Sequence, residues 1–203
     1  MKRRKLGAAA LVLLAASLWA MPAYADPGDV KCHESPDYLV VQRDRKDWRS
    51  DFLIKRKAHP SDQTQCAFTQ QPAAVLIGGR GKRYLFVSQK DDLLVLQHFG
   101  SKSPKYGPHL KLIVLGERLV ESDLGILSGI DEVKDEGIDL WMKIDTKPDK
   151  NNCPDYISGS EGADLDKYIN DKNEPIYLIR KDFLDFASRK IVPGTETQCL
   201  GPH

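Results

Sequence analysis

The sequence predicts a mainly β fold: an antiparallel sandwich, barrel or meander with two short edge helices, stapled by disulfides. The clearest support is residues 83–115, which read as three strands: Arg-Tyr-Leu-Phe-Val-Ser-Gln, Leu-Leu-Val-Leu-Gln-His-Phe and Leu-Lys-Leu-Ile-Val-Leu. The polar turn Lys-Asp-Asp joins the first two. About seven or eight such β-runs recur along the chain between turns, as is typical of sandwiches and meanders. The sequence contains no strand–helix–strand repeat that would indicate a parallel sheet.

The first 25 residues have the pattern of a secretory signal peptide. Four basic residues at positions 2–5 precede an uncharged run at 6–21, and Ala23-Tyr24-Ala25 supplies the small residues of a cleavage site. The uncharged run is shorter than the roughly 20 residues that a membrane-spanning helix needs. We therefore expect cleavage after Ala25 and a periplasmic or secreted protein without a membrane anchor. Residues 26–203 then form a single mainly-β domain.

The elements before the central hairpin are short. Residues 38–42 are apolar at nearly every position and predict a strand. Residues 43–57 fit a short helix or turn followed by a strand. Residues 73–77 predict a buried strand, and residues 78–83, Gly-Gly-Arg-Gly-Lys-Arg, predict a turn because glycine adopts positive φ angles at little steric cost.

After the third central strand the chain becomes acidic. Residues 116–137 contain several glycines and predict a loop, ordered only around 124–127. Residues 138–145 alternate between apolar and polar side chains and predict a half-buried strand. Three more elements complete the prediction: a helix at 163–172, a strand at 176–180, and a helix at 182–190 with Phe183 and Phe186 on one side.

Four cysteines remain after signal cleavage. An even number in an exported chain indicates two disulfides formed in an oxidising compartment. Because partners close in sequence close a loop at lower entropic cost, Cys32–Cys66 and Cys153–Cys199 are favoured among the three possible pairings. The chain has no N-x-[ST] glycosylation sequence, which fits a bacterial export.

Charge is distributed unevenly along the mature chain. Residues 26–203 carry 26 basic and 29 acidic side chains, which argues against a nucleic-acid partner because such binders are usually strongly basic. Residues 26–115 have a net charge of +5 and residues 116–203 one of −8, and seven bases accompany three acids within residues 43–57 alone. Such patches either steer a partner or neutralise each other across an internal contact.

The sequence lacks the linear signatures of catalysis and metal binding. No H-E-x-x-H, G-x-S-x-G or C-x-x-C motif occurs, and the glycine turn fails the phosphate-loop pattern. The prediction therefore includes no catalytic residue, no metal ligand and no cofactor. Two alternatives stay open: His98 and His109 meeting across the loop between their strands, and calcium bound by the acidic segment 131–139, although that segment lacks the EF-hand spacing.

The residue that points most directly to binding is Trp141. By strand alternation its ring projects with Asp139 and Lys143 away from the apolar side of residues 138–145, and a tryptophan among charges is typical of a protein hot spot or a sugar-stacking platform. The basic residues of the glycine turn, Arg80, Lys82 and Arg83, form a second candidate surface.

From these patterns the sequence predicts an exported, disulfide-stapled binding module that recognises a protein or polysaccharide, with an inhibitor and an envelope factor as its candidate roles. The alternative is an extracellular or cell-wall hydrolase. It would use a carboxylate pair or a His–Asp pair that is assembled only by folding, so that no linear motif would reveal it.

Overall fold

The structure is a computed structural model that describes residues 29–46, 49–61, 64–79, 81–100, 107–149, 151–153 and 176–201. The predicted signal peptide at 1–25, the predicted helix at 163–172 and Arg80 lie outside the described residues. The described part is all β, with two antiparallel sheets, and confirms the predicted fold class. Within that part, no helix is long and apolar enough to cross a membrane.

The smaller sheet has four strands in sequential order. They are β1 (Val30–Glu34), β2 (Tyr38–Asp44), β3 (Ser50–Arg56) and β4 (Val75–Ile77). Strands β2 and β3 confirm the strands predicted at 38–42 and within 43–57. β4 is an edge strand whose Val75 and Leu76 are 45% and 46% exposed, so the prediction that this strand is buried is wrong.

The larger sheet is a seven-stranded meander in which each strand pairs with the next one along the chain. Its strands are β5 (Arg83–Lys90), β6 (Leu93–Phe99), β7 (His109–Val114), β8 (Val120–Val133), β9 (Gly137–Lys143), β10 (Tyr177–Asp185) and β11 (Lys190–Leu200). Strands β5, β6 and β7 are the three predicted within residues 83–115. β9 confirms the strand predicted from the alternation of residues 138–145.

The two sheets share a core between the smaller sheet and one face of β5–β7. This core joins Val40, Phe52 and Ile54 of the smaller sheet to Leu94 and Leu96 of β6, each at most 4% exposed. This core covers one face of β5–β7. A second cluster, which includes Leu93 and Val95 of β6, covers the other face, as the lack of polar alternation in these strands predicts. We name the face of the larger sheet that meets the smaller sheet its outer face.

The opposite, inner face of the larger sheet curls around a core of its own. Leu93 and Val95 on β6 pack in one cluster with Leu140 on β9 and Leu184 on β10. The curl brings together two hairpin turns from distant parts of the sheet. A guanidinium nitrogen of Arg189, in the turn after β10, lies 3.0 Å from the carboxylate of Asp92, in the turn before β6. Within the described part of the chain, the apolar side chains of one sheet thus bury each other.

The acidic segment 116–137 is not the loop that its composition predicts. It contains β8, a strand of 14 residues with two irregularities in its pairing to β9. Its acidic side chains are stabilised from a neighbouring strand: the Lys111 ammonium lies 3.2 Å from Glu121 and 3.3 Å from Asp123. Opposite charges on paired strands favour a sheet, and local sequence does not reveal them.

The helix predicted at 182–190 is also wrong. Those residues form the end of β10, a turn and the start of β11, with Phe183 paired to Asp139 and Leu184 to Ile138. In the turn, Asp185 accepts hydrogen bonds from the Ala187 N–H at 3.0 Å and the Ser188 hydroxyl at 2.8 Å. A spacing of three residues between two phenylalanines fits one face of a helix. It fits equally well here, where Phe183 lies near the end of β10 and Phe186 lies in the turn that follows.

Both predicted disulfides are present. Cys32–Cys66 ties β1 to the chain between β3 and β4, and Cys153–Cys199 ties the chain after β9 to β11. The described residues include no free cysteine. Such bonds are consistent with an oxidising compartment outside the cytoplasm.

Candidate functional site

The part of the outer face that lies on β8–β10 carries the predicted tryptophan. Trp141 is paired in register with Gly129 of β8 and with Lys181 of β10. Residues at these three positions therefore lie on the same face of the sheet. Asp139 and Lys143 alternate with Trp141 along β9 and lie on the same face. We call the set of Asp131, Asp139, Trp141, Lys143 and Lys181 the tryptophan face.

The indole of Trp141 is held from two sides. Its Nε1–H donates a 2.9 Å hydrogen bond to Asp131, and the Lys181 ammonium lies 5.9 Å from the ring centroid. Lys181 and Asp131 close the triangle with a 2.7 Å ion pair. This pair lowers the pKa of Asp131 and raises that of Lys181, so both stay charged across the physiological range.

Asp139 and Lys143 have partners of their own. The Lys134 ammonium donates to Asp139 at 2.6 Å, which leaves this carboxylate locally neutralised. The Lys143 ammonium lies 5.4 Å from the Tyr177 ring, and burial lowers its pKa. The tryptophan face is thus a partly exposed aromatic ring within paired charges, on strands rather than loops.

The basic glycine turn lies elsewhere in the fold. Lys82 and Arg83 are exposed, and Arg83 begins β5, the edge strand four strand spacings from β9, roughly 19 Å along the sheet. The turn is tied to the smaller sheet by Asp51, which accepts the Gly79 N–H at 2.9 Å. The two predicted partner-binding groups therefore form separate surfaces.

The structure also contains a cleft that the sequence does not predict. This cleft, which we call the basic cleft, has a volume of about 580 Å³ and lies between the smaller sheet and the edge strand β5. It is lined by Lys31, His33, Gln42, Asp44, Arg45, Lys46, Arg49, Ser50, Leu85 and Phe86. Four of these residues are basic and one is acidic, so the lining has a surplus of positive charge.

A connected polar network forms the wall of the basic cleft. Asp44 accepts hydrogen bonds from the Gln42 amide and, at 2.7 Å, from the Ser50 hydroxyl, while Lys31 pairs with its other oxygen at 2.8 Å. Gln42 and Ser50 are only 7% and 2% exposed. Burial raises the pKa of Asp44, but these donors outweigh burial and hold it below its ordinary value.

His33 connects that wall to the larger sheet. Its ring stacks on Phe86 with centroids 3.5 Å apart and planes at 10°. Its Nε2 lies 3.0 Å from the Gln42 Oε1, and because Gln42 uses its amide nitrogen toward Asp44, His33 Nε2 is the donor. Burial lowers the pKa of His33, so the ring is neutral at pH 7 with Nδ1 as an acceptor.

The alternative built on histidines has a partial counterpart in the structure. His98 and His109 are cross-strand partners on β6 and β7, and the His109 Nδ1 lies 2.9 Å from Asp123. Burial, together with the Lys111 ammonium, lowers the pKa of His98. The His109–Asp123 pair is open to solvent, with side chains 43% and 44% exposed, and neither histidine lines the basic cleft.

The acidic segment 131–139 forms the hairpin between β8 and β9. Its carboxylates pair with lysines: Asp131 with Lys181, and Asp139 and Glu132 with Lys134. Among the residues that the structure describes, no group of three histidine, cysteine or carboxylate side chains could hold a metal ion. The geometry therefore gives calcium binding no support.

Sequence reasoning missed the basic cleft because its residues come from β1, the β2–β3 hairpin and β5, which are brought together only by folding. One signal pointed to it, namely the seven bases against three acids in residues 43–57. Searches of protein-family models, of curated proteins and of solved structures find no match for this chain.

Proposed function

We propose that this chain is an exported binding module, periplasmic or secreted, that recognises a protein or polysaccharide through the tryptophan face. The observation that carries the proposal is the anchoring of Trp141 by Asp131 and Lys181. A ring fixed before binding loses little conformational entropy on association, which is where rigid aromatic anchors gain affinity. Tryptophan is also among the residues most enriched at binding hot spots.

The scaffold supports this proposal. β9 and β10 pair along seven registered positions, and the inner face below Trp141 is a closed apolar core. The second disulfide fixes the end of β11, next to β10. Binding residues on such strands keep their geometry better than residues on loops. The ring is surrounded by both lysines and aspartates, and this mixed charge fits a partner that presents both hydrogen-bond donors and acceptors.

A photo-crosslinking experiment tests the proposal. A benzophenone amino acid replaces Glu132, which is paired in register with Asp139 beside the tryptophan face, and the protein is expressed in its native host. We expect an ultraviolet-dependent adduct with one partner, and its loss when Trp141→Ala is added. The matched control places the same amino acid at the exposed Arg56 of β3. Equal adducts at both positions, or an adduct that survives Trp141→Ala, would refute the proposal.

A second candidate function is the extracellular or cell-wall hydrolase, which the His109–Asp123 contact favours. Histidine oriented by a carboxylate is a common general base, and the neighbouring His98 is held neutral. Purified protein incubated with peptidoglycan tests this candidate: turnover that is abolished by Asp123→Asn supports it. Absence of soluble products from the wild type would remove it.

A further inference from the structure

We infer that the basic cleft binds an acidic oligosaccharide, a sugar chain that carries carboxylate or sulfate groups, at a site separate from the tryptophan face. The cleft lies against β5, and Trp141 lies four strand spacings away on β9. The inference goes beyond the proposed function, since it concerns a different surface and a defined chemical class of ligand.

The first argument is charge. Lys31, Arg45 and Lys46 line the cleft together with Arg49, and among the described residues that line it Asp44 is the only acidic one. Asp44 is already paired with Lys31 and accepts hydrogen bonds from two uncharged donors, Gln42 and Ser50. Arg45 has a longer contact, 3.5 Å, to Asp51, which is also bound by Arg43. Cations gathered on one short turn attract an anion, and arginine matches carboxylate and sulfate oxygens with paired N–H donors.

The second argument is the neutral part of the wall. The Ser50 hydroxyl, the Gln42 amide and the His33 imidazole alternate donors and acceptors in one network. Sugar hydroxyls need both kinds of partner, whereas a bare inorganic anion needs donors only. Because the network is buried and connected, its orientation is set before a ligand arrives.

The third argument is shape. A volume of about 580 Å³ falls in the range of small-ligand sites and holds a ligand of roughly two sugar rings. Leu85 and Phe86 contribute apolar lining at the edge of β5, and the carbon-bound hydrogens of a sugar ring contact lining of this kind.

Isothermal titration calorimetry of the full mature protein tests this assignment with trigalacturonate, a chondroitin sulfate disaccharide, neutral galactotriose and hexaglutamate. We expect binding of one or both acidic sugars and none of galactotriose. The double substitution Arg45→Gln/Lys46→Gln should weaken that binding at least tenfold. In this variant Asp51 keeps Arg43 and the Gly79 N–H, so the fold is retained. Because a chondroitin sulfate disaccharide carries a uronic-acid carboxylate as well as a sulfate, binding of that sugar alone would show that sulfate is required, whereas binding of both sugars would show that a carboxylate is sufficient.

Two controls make the result specific. Arg118→Gln/Lys147→Gln removes the same charge from exposed positions outside the cleft and should leave affinity unchanged. Trp141→Ala should also leave it unchanged, which separates this site from the tryptophan face. Absence of acidic-sugar binding, an equal loss in the control variant, or hexaglutamate binding as tight as that of trigalacturonate would each overturn the inference.

Discussion

Replacing Gly194 by alanine should destabilise the protein and disturb the tryptophan face. Gly194 lies on β11 opposite an irregularity in the β10 pairing, and its N–H donates to the buried Asp182 at 3.1 Å. A methyl group at position 194 would lie 2.0 Å from the Lys181 carbonyl oxygen. Nonbonded heavy atoms prefer roughly 3.5 Å, so the backbone of Lys181, whose side chain contacts Trp141, must move by more than about 1 Å.

The cost follows from two terms. Overpacking of this kind costs about 1–3 kcal/mol, and weakening a hydrogen bond to a charged group costs about 1.5–3 kcal/mol. Alanine recovers less than about 1 kcal/mol of backbone entropy. We therefore expect a loss of about 2–4 kcal/mol, which for a domain of this size lowers Tm by roughly 4–16 °C.

Differential scanning calorimetry measures the effect, and Trp fluorescence reports the movement of Lys181. Gly100→Ala is the matched control, because among the described residues, its chain neighbours apart, no atom lies within 4 Å of a methyl group there, and its φ angle is not positive. A Gly194→Ala variant that melts within 1 °C of Gly100→Ala would refute the reasoning from contact geometry.

Two further predictions concern stability. Substituting both cysteines of the Cys153–Cys199 bond by serine should lower the free energy of unfolding by about 4 kcal/mol, because the bond closes a loop across a separation of 46 residues. Urea unfolding measures this loss, and an unchanged unfolding midpoint would contradict the prediction. Burial raises the pKa of Asp51, but the Gly79 N–H, Arg43 and Arg45 outweigh it and hold that pKa below 3.8. The stability from Asp51 is therefore complete above pH 3.8 and lost as the pH falls further, so Asp51→Asn should flatten the acid limb of a Tm–pH profile.

The elements predicted correctly are those whose pattern is local. Side chains in a strand point to opposite faces in turn, so the sequence of a strand indicates which of its faces are buried. The alternation around Trp141 indicates one buried face of β9, and the apolar runs of β6 and β7 indicate two. The disulfide pairing was also predictable, since loop closure favours partners that are near in sequence.

The elements predicted wrongly depend on contacts between strands. β8 is stabilised by Lys111, which lies on β7, and the turn after β10 is fixed by the hydrogen bonds of Asp185. The basic cleft needs both sheets in place before His33 meets Phe86. The alternation that directs Trp141 away from the apolar side of β9 was predicted. Its anchors Asp131 and Lys181 come from β8 and β10 and were not predicted.

The most direct test of the account is the affinity of the purified crosslinked partner for the wild type, Trp141→Phe and Trp141→Ala, measured by calorimetry. Truncation of a hot-spot residue costs about 2 kcal/mol or more, so Trp141→Ala should weaken binding roughly 30-fold. Trp141→Phe keeps the ring but loses the hydrogen bond to Asp131 and should fall in between. Equal affinities for the three proteins, with unchanged melting temperatures, would contradict the assignment of the tryptophan face as the binding surface.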